Sequence, residues 1–287
     1  MINICVLALT AALVAGSAAG QIIMPTSPGN TGAAPNGIAA TTNLLLFTQP
    51  FCAGMQTRGI YSANPSTGAS KLMTSFTGAN TNLNVCAENY LAISPGLGGF
   101  KAGDTYATAA SPTTASEVAV LKNGVLFIDH ITSPKMHAGV TFDSAGTFSG
   151  ALIVTAPGAI RGFDASGTLL FIYPTLGTLV LEGATVAPLT YAPCPGCLYI
   201  TAEQMADVDN ANPTGPGEIL RVLPGTPSGT AASFFSTTPG PEPEGLEFVT
   251  VRSLSCTNSK FDYFVSGYAT GGQINTPKAT NGAILEY

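Results

Sequence analysis

The segment His137–Tyr173, HAGVTFDSAGTFSGALIVTAPGAIRGFDASGTLLFIY, decides the fold. Four short apolar runs follow one another in it: Gly139–Asp143, Ala151–Thr155, Ala159–Asp164 and Thr168–Tyr173. Each is separated from the next by turn chemistry, at Ser144-Ala145-Gly146, Pro157-Gly158 and Ala165-Ser166-Gly167. Runs of this length, rich in β-branched and aromatic residues and bounded by Gly, Pro and Ser, read as strands. The segment is one antiparallel unit of four strands, A to D.

The phrase that opens this unit, His137-Ala138-Gly139-Val140, has relatives along the chain. They are Pro35-Asn36-Gly37-Ile38, Ala87-Glu88-Asn89-Tyr90, Leu181-Glu182-Gly183-Ala184 and Pro243-Glu244-Gly245-Leu246, each heading an apolar run. Units then begin near Asn36, Glu88, Ala138, Glu182 and Glu244. The spacing, roughly 45–60 residues, is that of propeller blades and far too long for one coil of a β-solenoid. Unit 1 supplies strands at Asn43–Phe47, Gly59–Ser62 and Lys71–Phe76; unit 2 ends in Glu117–Val120 and Val125–Ile128. Unit 4 supplies Cys197–Thr201, Glu218–Val222 and Ala232–Phe235; unit 5 supplies Leu246–Val249, Tyr263–Ser266 and Ala283–Glu286. The last unit lacks a fourth strand, and Gln21–Met24 is a spare one. The expected fold is all-β: a β-propeller of five four-stranded blades, its ring closed by the mature N-terminal strand, which removes exposed sheet edges. Six blades are the alternative, with strands hidden in unit 2 or between units 4 and 5.

Composition agrees with this reading. Of 287 residues only 9% are charged, Gly (33) and Pro (21) are abundant, and Trp is absent. Residues 1–20 read as a secretory signal peptide, with an apolar stretch from Val6 to Val14 and small residues at Ser17–Gly20, although no basic residue precedes the stretch. Residues 21–287 then form a single secreted domain, extracellular or periplasmic, expected to be a monomer. No later segment reaches membrane-spanning length. A net charge of −6 without a Lys/Arg cluster argues against a nucleic-acid partner and suits cation binding.

Secretion makes disulfides the default for the cysteines. Cys194-Pro195-Gly196-Cys197 has redox or metal spacing, but no βαβ context and no second ligand pair accompany it, so a local disulfide is the favoured reading. By topology Cys52 and Cys86 fall on one face of the ring and form an inter-blade candidate. Cys256 is left over, and exchange of partners among Cys194, Cys197 and Cys256 stays open.

In a propeller strand A is innermost, and its start lies on the face that carries the D–A and B–C loops. Asn36, Glu88, Glu182 and Glu244 are therefore expected around the axis at one depth, with His137 one residue off register. Facing carboxylates repel, and a proton or a cation must neutralise part of their charge. The metal ligands expected are Asn36, Glu88, Glu182 and Glu244. Oxygen donors favour Ca²⁺, with Mg²⁺ as an alternative and Zn²⁺ if His137 joins. Glu203, Asp207, Asp209 and Asn210 of the unit 4 B–C loop are candidates for outer support or a separate calcium loop. For each strand-initial Glu-Gly, plain turn chemistry is the competing explanation, and His130 reads as the end of a strand.

The strand-initial Glu-Gly, with Phe142-Asp143-Ser144-Ala145-Gly146 and Phe163-Asp164-Ala165-Ser166-Gly167, resembles the NHL and SMP-30/gluconolactonase class of propellers over most of the mature chain. The resemblance implies an axial divalent cation held by carboxylate and amide side chains, often with lactonase or esterase activity. Carried over by position, Asn36, Glu88, Glu182 and Glu244 are the ligands. The family's ring also has an Asp base, and none stands here. A metal-dependent lactone or ester hydrolase with His137 and Glu244 as catalytic groups is the first functional expectation. A non-catalytic propeller binding a small-molecule or extracellular ligand, with a structural cation, is the alternative. A glycan-active propeller is weakened by the absence of Trp platforms, and a serine hydrolase by the absence of a Gly-x-Ser-x-Gly elbow.

Overall fold

In a computed structural model the described residues are 37–40, 45–48, 59–63, 70–76, 89–111, 116–133, 137–191, 193–204, 217–237, 242–249, 262–268 and 282–286. They contain strands and turns, with no helix among them, and so no helix long and apolar enough to cross a membrane. Among the described residues five antiparallel sheets follow one another. Sheet 1 is β1 (Ile38–Ala40), β2 (Leu45–Thr48), β3 (Gly59–Ala63) and β4 (Ser70–Ser75). Sheet 2 is β5 (Leu91–Ile93), β6 (Thr105–Ala110), β7 (Glu117–Lys122) and β8 (Val125–Thr132). Sheet 3 is β9 (Gly139–Phe142), β10 (Leu152–Ala156), β11 (Ala159–Phe163) and β12 (Leu169–Pro174). Sheet 4 is β13 (Leu179–Val186), β14 (Leu198–Gln204), β15 (Glu218–Val222) and β16 (Ser233–Thr237). Sheet 5 is β17 (Glu242–Val249), β18 (Asp262–Tyr268) and β19 (Gly282–Glu286).

Within each sheet the strands lie in chain order, and the first strands β1, β5, β9, β13 and β17 meet their neighbours from sheet to sheet. This is the radial arrangement of a β-propeller. Gln21–Met24, expected to close the ring, lies outside the described residues.

The core sits between the sheets, which explains why several strands are apolar on both faces. All five residues of β10 are buried, yet they serve two cores. Leu152 and Val154 face the cluster shared with sheets 1 and 2, while Ile153 faces the cluster shared with sheet 4. Period-2 alternation thus sorts apolar residues between two neighbours rather than between core and solvent. Phe100, Tyr106 and Phe142 lock sheets 2 and 3 edge to face, with centroids 5.0–5.7 Å apart.

The Phe-Asp motifs are turn devices. The Asp143 carboxylate is fully buried and accepts from the backbone N–H groups of Thr147 (3.1 Å), Phe148 (2.6 Å) and Gly150 (2.9 Å). Asp164 accepts in the same manner from Ser166 and Thr168. A disulfide joins Cys194 and Cys197 in the β13–β14 loop, as the local reading expects. Cys52, Cys86 and Cys256 lie outside the described residues.

Candidate functional site

The candidate site begins with two bulges. Between β13 and β14 the register slips by one residue between Leu181 and Ala184, at Glu182-Gly183. Between β17 and β18 it slips between Pro243 and Gly245, at Glu244. Glu182 and Glu244 therefore occupy equivalent places on adjacent inner strands. A bulge re-aims a side chain and ends regular pairing, and bulges concentrate beside functional sites.

A threonine on the second strand of a sheet fixes the level. Thr48 Oγ1 accepts from the N–H of Gly37 (3.0 Å) and donates to the carbonyl of Asn89 in the next sheet. Thr155 Oγ1 accepts from Gly139 (3.0 Å) and donates to the carbonyl of Glu182 in the next sheet (2.8 Å). Thr108 Oγ1 accepts likewise from Tyr90 (2.9 Å). A Cβ on Gly37 would collide with the Asn89 carbonyl, and one on Gly139 with that of Glu182. At Gly37 and Gly139 the glycine is thus required by the close approach of the next blade's backbone.

These bonds set the register of the ring. The residue of sheet 2 that matches Glu182 is the fully buried Asn89, one residue after Glu88. Sheet 2 also breaks the phrase, because Tyr90 stands where the other copies have glycine. Asn36 and Glu88 lie outside the described residues, and for Glu244 the strand position is described.

Four side chains from three sheets converge here. His137 Nδ1 lies 2.8 Å from Glu182 Oε1, and the Tyr90 hydroxyl donates to Glu182 Oε2 at 2.5 Å. Ser133 donates to the carbonyl of His137 (2.7 Å) and fixes the backbone that presents the imidazole. One donor atom each from His137, Glu182 and Glu203 lie within 4.8 Å of one another. Their exposures are 4%, 1% and 4%, so solvent does little to screen the two carboxylates. Paired acids this deep require compensating positive charge. An imidazole with two carboxylates is a donor set that fits a divalent metal ion.

Sequence reasoning pointed to both His137 and Glu182, and the structure brings the two side chains together. Glu203 it misplaced: the residue belongs to β14, not to the following loop, and pairs with Val180. Residues 205–216, which include Asp207, Asp209 and Asn210, lie outside the described residues. Tyr90 it passed over, because in the phrase as the sequence aligns it Asn89 takes the glycine position, and only the bond from the Tyr90 N–H to Thr108 puts Tyr90 there. His130 lies within β8 rather than at its end, at a register slip and with φ 61°.

No protein-family model matches the chain, and no curated protein matches it by sequence. Solved structures do resemble it. The chain is similar to a "putative oxidoreductase (glucose dehydrogenase)" of Thermus thermophilus, with a TM-score of 0.53 and 15% identity over 88% of this chain and 83% of that one. It also resembles a gluconolactonase of Xanthomonas campestris at TM-score 0.39 and 18% identity, over 61% of this chain and 56% of that one. A β-fructofuranosidase of Schwanniomyces occidentalis gives TM-score 0.46 and 11% identity, over 94% of this chain and 58% of that one. At 15% identity the likeness to the Thermus protein is one of fold alone, and it agrees with the β-propeller arrangement of the sheets.

Proposed function

We propose that the protein is a β-propeller with an axial divalent-cation site and that it hydrolyses a lactone or ester there. One observation carries the reading: an imidazole and two carboxylates, each at most 4% exposed, gathered within 4.8 Å by residues from sheets 3 and 4. His137, Glu182 and Glu203 would hold the ion. The imidazole moves the preference from Ca²⁺, which takes oxygen donors, toward Zn²⁺ or another transition metal. When bound, the ion supplies a Lewis acid for a substrate carbonyl. Glu244, whose strand carries a bulge like that at Glu182, is assigned to take a proton from the attacking water.

A second reading keeps the ion and drops the catalysis. Glu182 is tied to Tyr90 of the sheet 2 approach, His137 of the sheet 3 approach and Thr155 of β10, so an ion here would also pin three sheets together. Secretion, inferred from the leader-like first 20 residues, belongs to either reading.

The test starts with metal content of protein purified without chelator, followed by a lactone and ester panel with and without EDTA. The hydrolase reading expects about one equivalent of metal and activity that EDTA abolishes and Zn²⁺ restores. Metal without activity on any member of the panel leaves the structural-cation reading. Protein that neither contains nor takes up a divalent ion defeats both.

A further inference from the structure

Tyr90 breaks the repeat in sheet 2, where Gly37 and Gly139 hold the equivalent places in sheets 1 and 3. Its main-chain N–H bonds Thr108 just as Gly37 bonds Thr48 and Gly139 bonds Thr155, so its backbone is equivalent to theirs. At those glycines a side chain would strike the next blade's carbonyl. Sheet 2 carries a phenol there, and the next phrase is the divergent His137-Ala138, the copy with no carboxylate or amide at the axial position. The side chain does not turn to bulk solvent, for it is half-buried and its hydroxyl reaches the carboxylate of Glu182, 92 residues away in sequence.

The two oxygens of Glu182 are thereby divided. Oε1 is the one beside His137, and Oε2 is the one that Tyr90 holds. A carboxylate free to rotate would offer both oxygens to a cation. A donor fixed on Oε2 opposes that, because the hydrogen bond must break for the second oxygen to coordinate, and a bond to a charged acceptor is among the stronger ones. We infer that Tyr90 is a positioning residue that restricts Glu182 to one donor oxygen, so that a cation held by His137, Glu182 and Glu203 keeps a position for an outside ligand. Three protein donors with a position left over is the arrangement of catalytic rather than structural zinc sites. The inference rests on the cation reading and adds to it the feature that separates a working ion from a structural one.

Tyr90→Phe keeps the ring and removes the hydroxyl; Tyr90→Gly restores the residue of the other phrases and serves if the first folds poorly. The full-length mature protein is stripped of metal, titrated with Co²⁺ and then with azide, both followed by the visible absorption of Co²⁺. The wild type should bind Co²⁺ and shift its spectrum with azide. Each variant should bind Co²⁺ at least as tightly as the wild type but azide about tenfold more weakly, the order seen when groups behind metal ligands are altered. Equal azide affinity in wild type and variants overturns the role of Tyr90 while leaving the cation site standing. Wild type that binds Co²⁺ without responding to azide also overturns it. Wild type that binds no Co²⁺ removes the cation reading and this inference together.

Discussion

Sheet 3 stands between two buried acids that look alike by burial and differ in every other respect. At one end, Asp143 is fully buried in the β9–β10 loop and is satisfied by three backbone N–H groups of its own loop. At the other, Glu182 is buried to the same degree, but its partners are the side chains of Tyr90 and His137 from other sheets, with a second carboxylate close by. Backbone donors within seven residues complete a turn and leave nothing over for chemistry. Titratable side chains brought together from distant segments serve no local turn, and they gather charge that folding alone would avoid. Burial of an acid is therefore not the mark of a site; the origin of its partners is.

The largest expected effect breaks the structural member of the pair. Asp143→Ala would leave three backbone donors without their acceptor, at about 1–3 kcal/mol for each buried group left unsatisfied. A loss of about 3 kcal/mol or more is expected in urea denaturation, with Asp143→Asn recovering part of it. If Asp143→Ala instead lowered Co²⁺ affinity and spared stability, the division between the two acids would be wrong.

Next come the acids of the site. Glu182→Gln and Glu203→Gln are expected to lower Zn²⁺ affinity by about a hundredfold or more, the upper range for groups behind the ligands serving as a floor for the ligands themselves. Apo-protein stability should change by less than with Asp143→Ala, because Gln keeps an acceptor and removes a buried charge. Isothermal titration and denaturation of the same samples separate these. Glu244→Gln should reduce hydrolysis with a smaller effect on Zn²⁺ affinity; affinity loss equal to that of Glu182→Gln would make it a ligand instead of a base.

Two threonines then sharpen the comparison, since they make matching bonds in different places. Thr48→Val and Thr155→Val each remove an acceptor for a phrase N–H and a donor to the next sheet's carbonyl. Both should cost about 2 kcal/mol of stability. Only Thr155 holds the backbone of Glu182, so only Thr155→Val should also weaken Zn²⁺ binding. Equal metal affinity in the two variants would show that the backbone of Glu182 needs no such support.

Much of the fold was legible because propeller blades are local. β15 and the strands of sheet 3 follow from apolar runs and turn residues a few positions apart, and the sequence period places the sheets around an axis. The site was half legible for the same reason. Glu182 and Glu244 stand out by repetition, since each opens a unit. Asn89 does not, because only the carbonyl partner of Thr48, a contact 41 residues away, shows that it shares the level of Glu182. Glu203 and Tyr90 belong to no repeated pattern that marks chemistry. Their roles come from packing between sheets, which a single sequence does not record.

The smallest expected effect concerns His130, the other histidine, whose setting reverses that of His137. His130 is exposed, and its Nδ1 lies 2.8 Å from Glu117 Oε2 while Nε2 is 3.7 Å from Asp129 Oδ2. The hydrogen bond to Glu117, and then the charge of Asp129, raise its pKa above the ordinary imidazole value. A group whose folded pKa exceeds its unfolded one binds its proton more tightly in the native state. Its contribution to stability is therefore fully present below the unfolded pKa and is lost as pH rises through the folded one. His130→Asn removes the charge while tolerating the positive φ at this position, which Asn adopts more readily than most residues. Wild type should be slightly more stable than His130→Asn at about pH 5, and the difference should shrink on passing above neutrality. Urea denaturation across that range measures it, with solvent and salt keeping the effect small at an exposed pair. A difference that stays constant with pH would assign the position's value to its backbone conformation. His130 would then resemble the phrase glycines, held for shape, rather than the imidazole that meets Glu182.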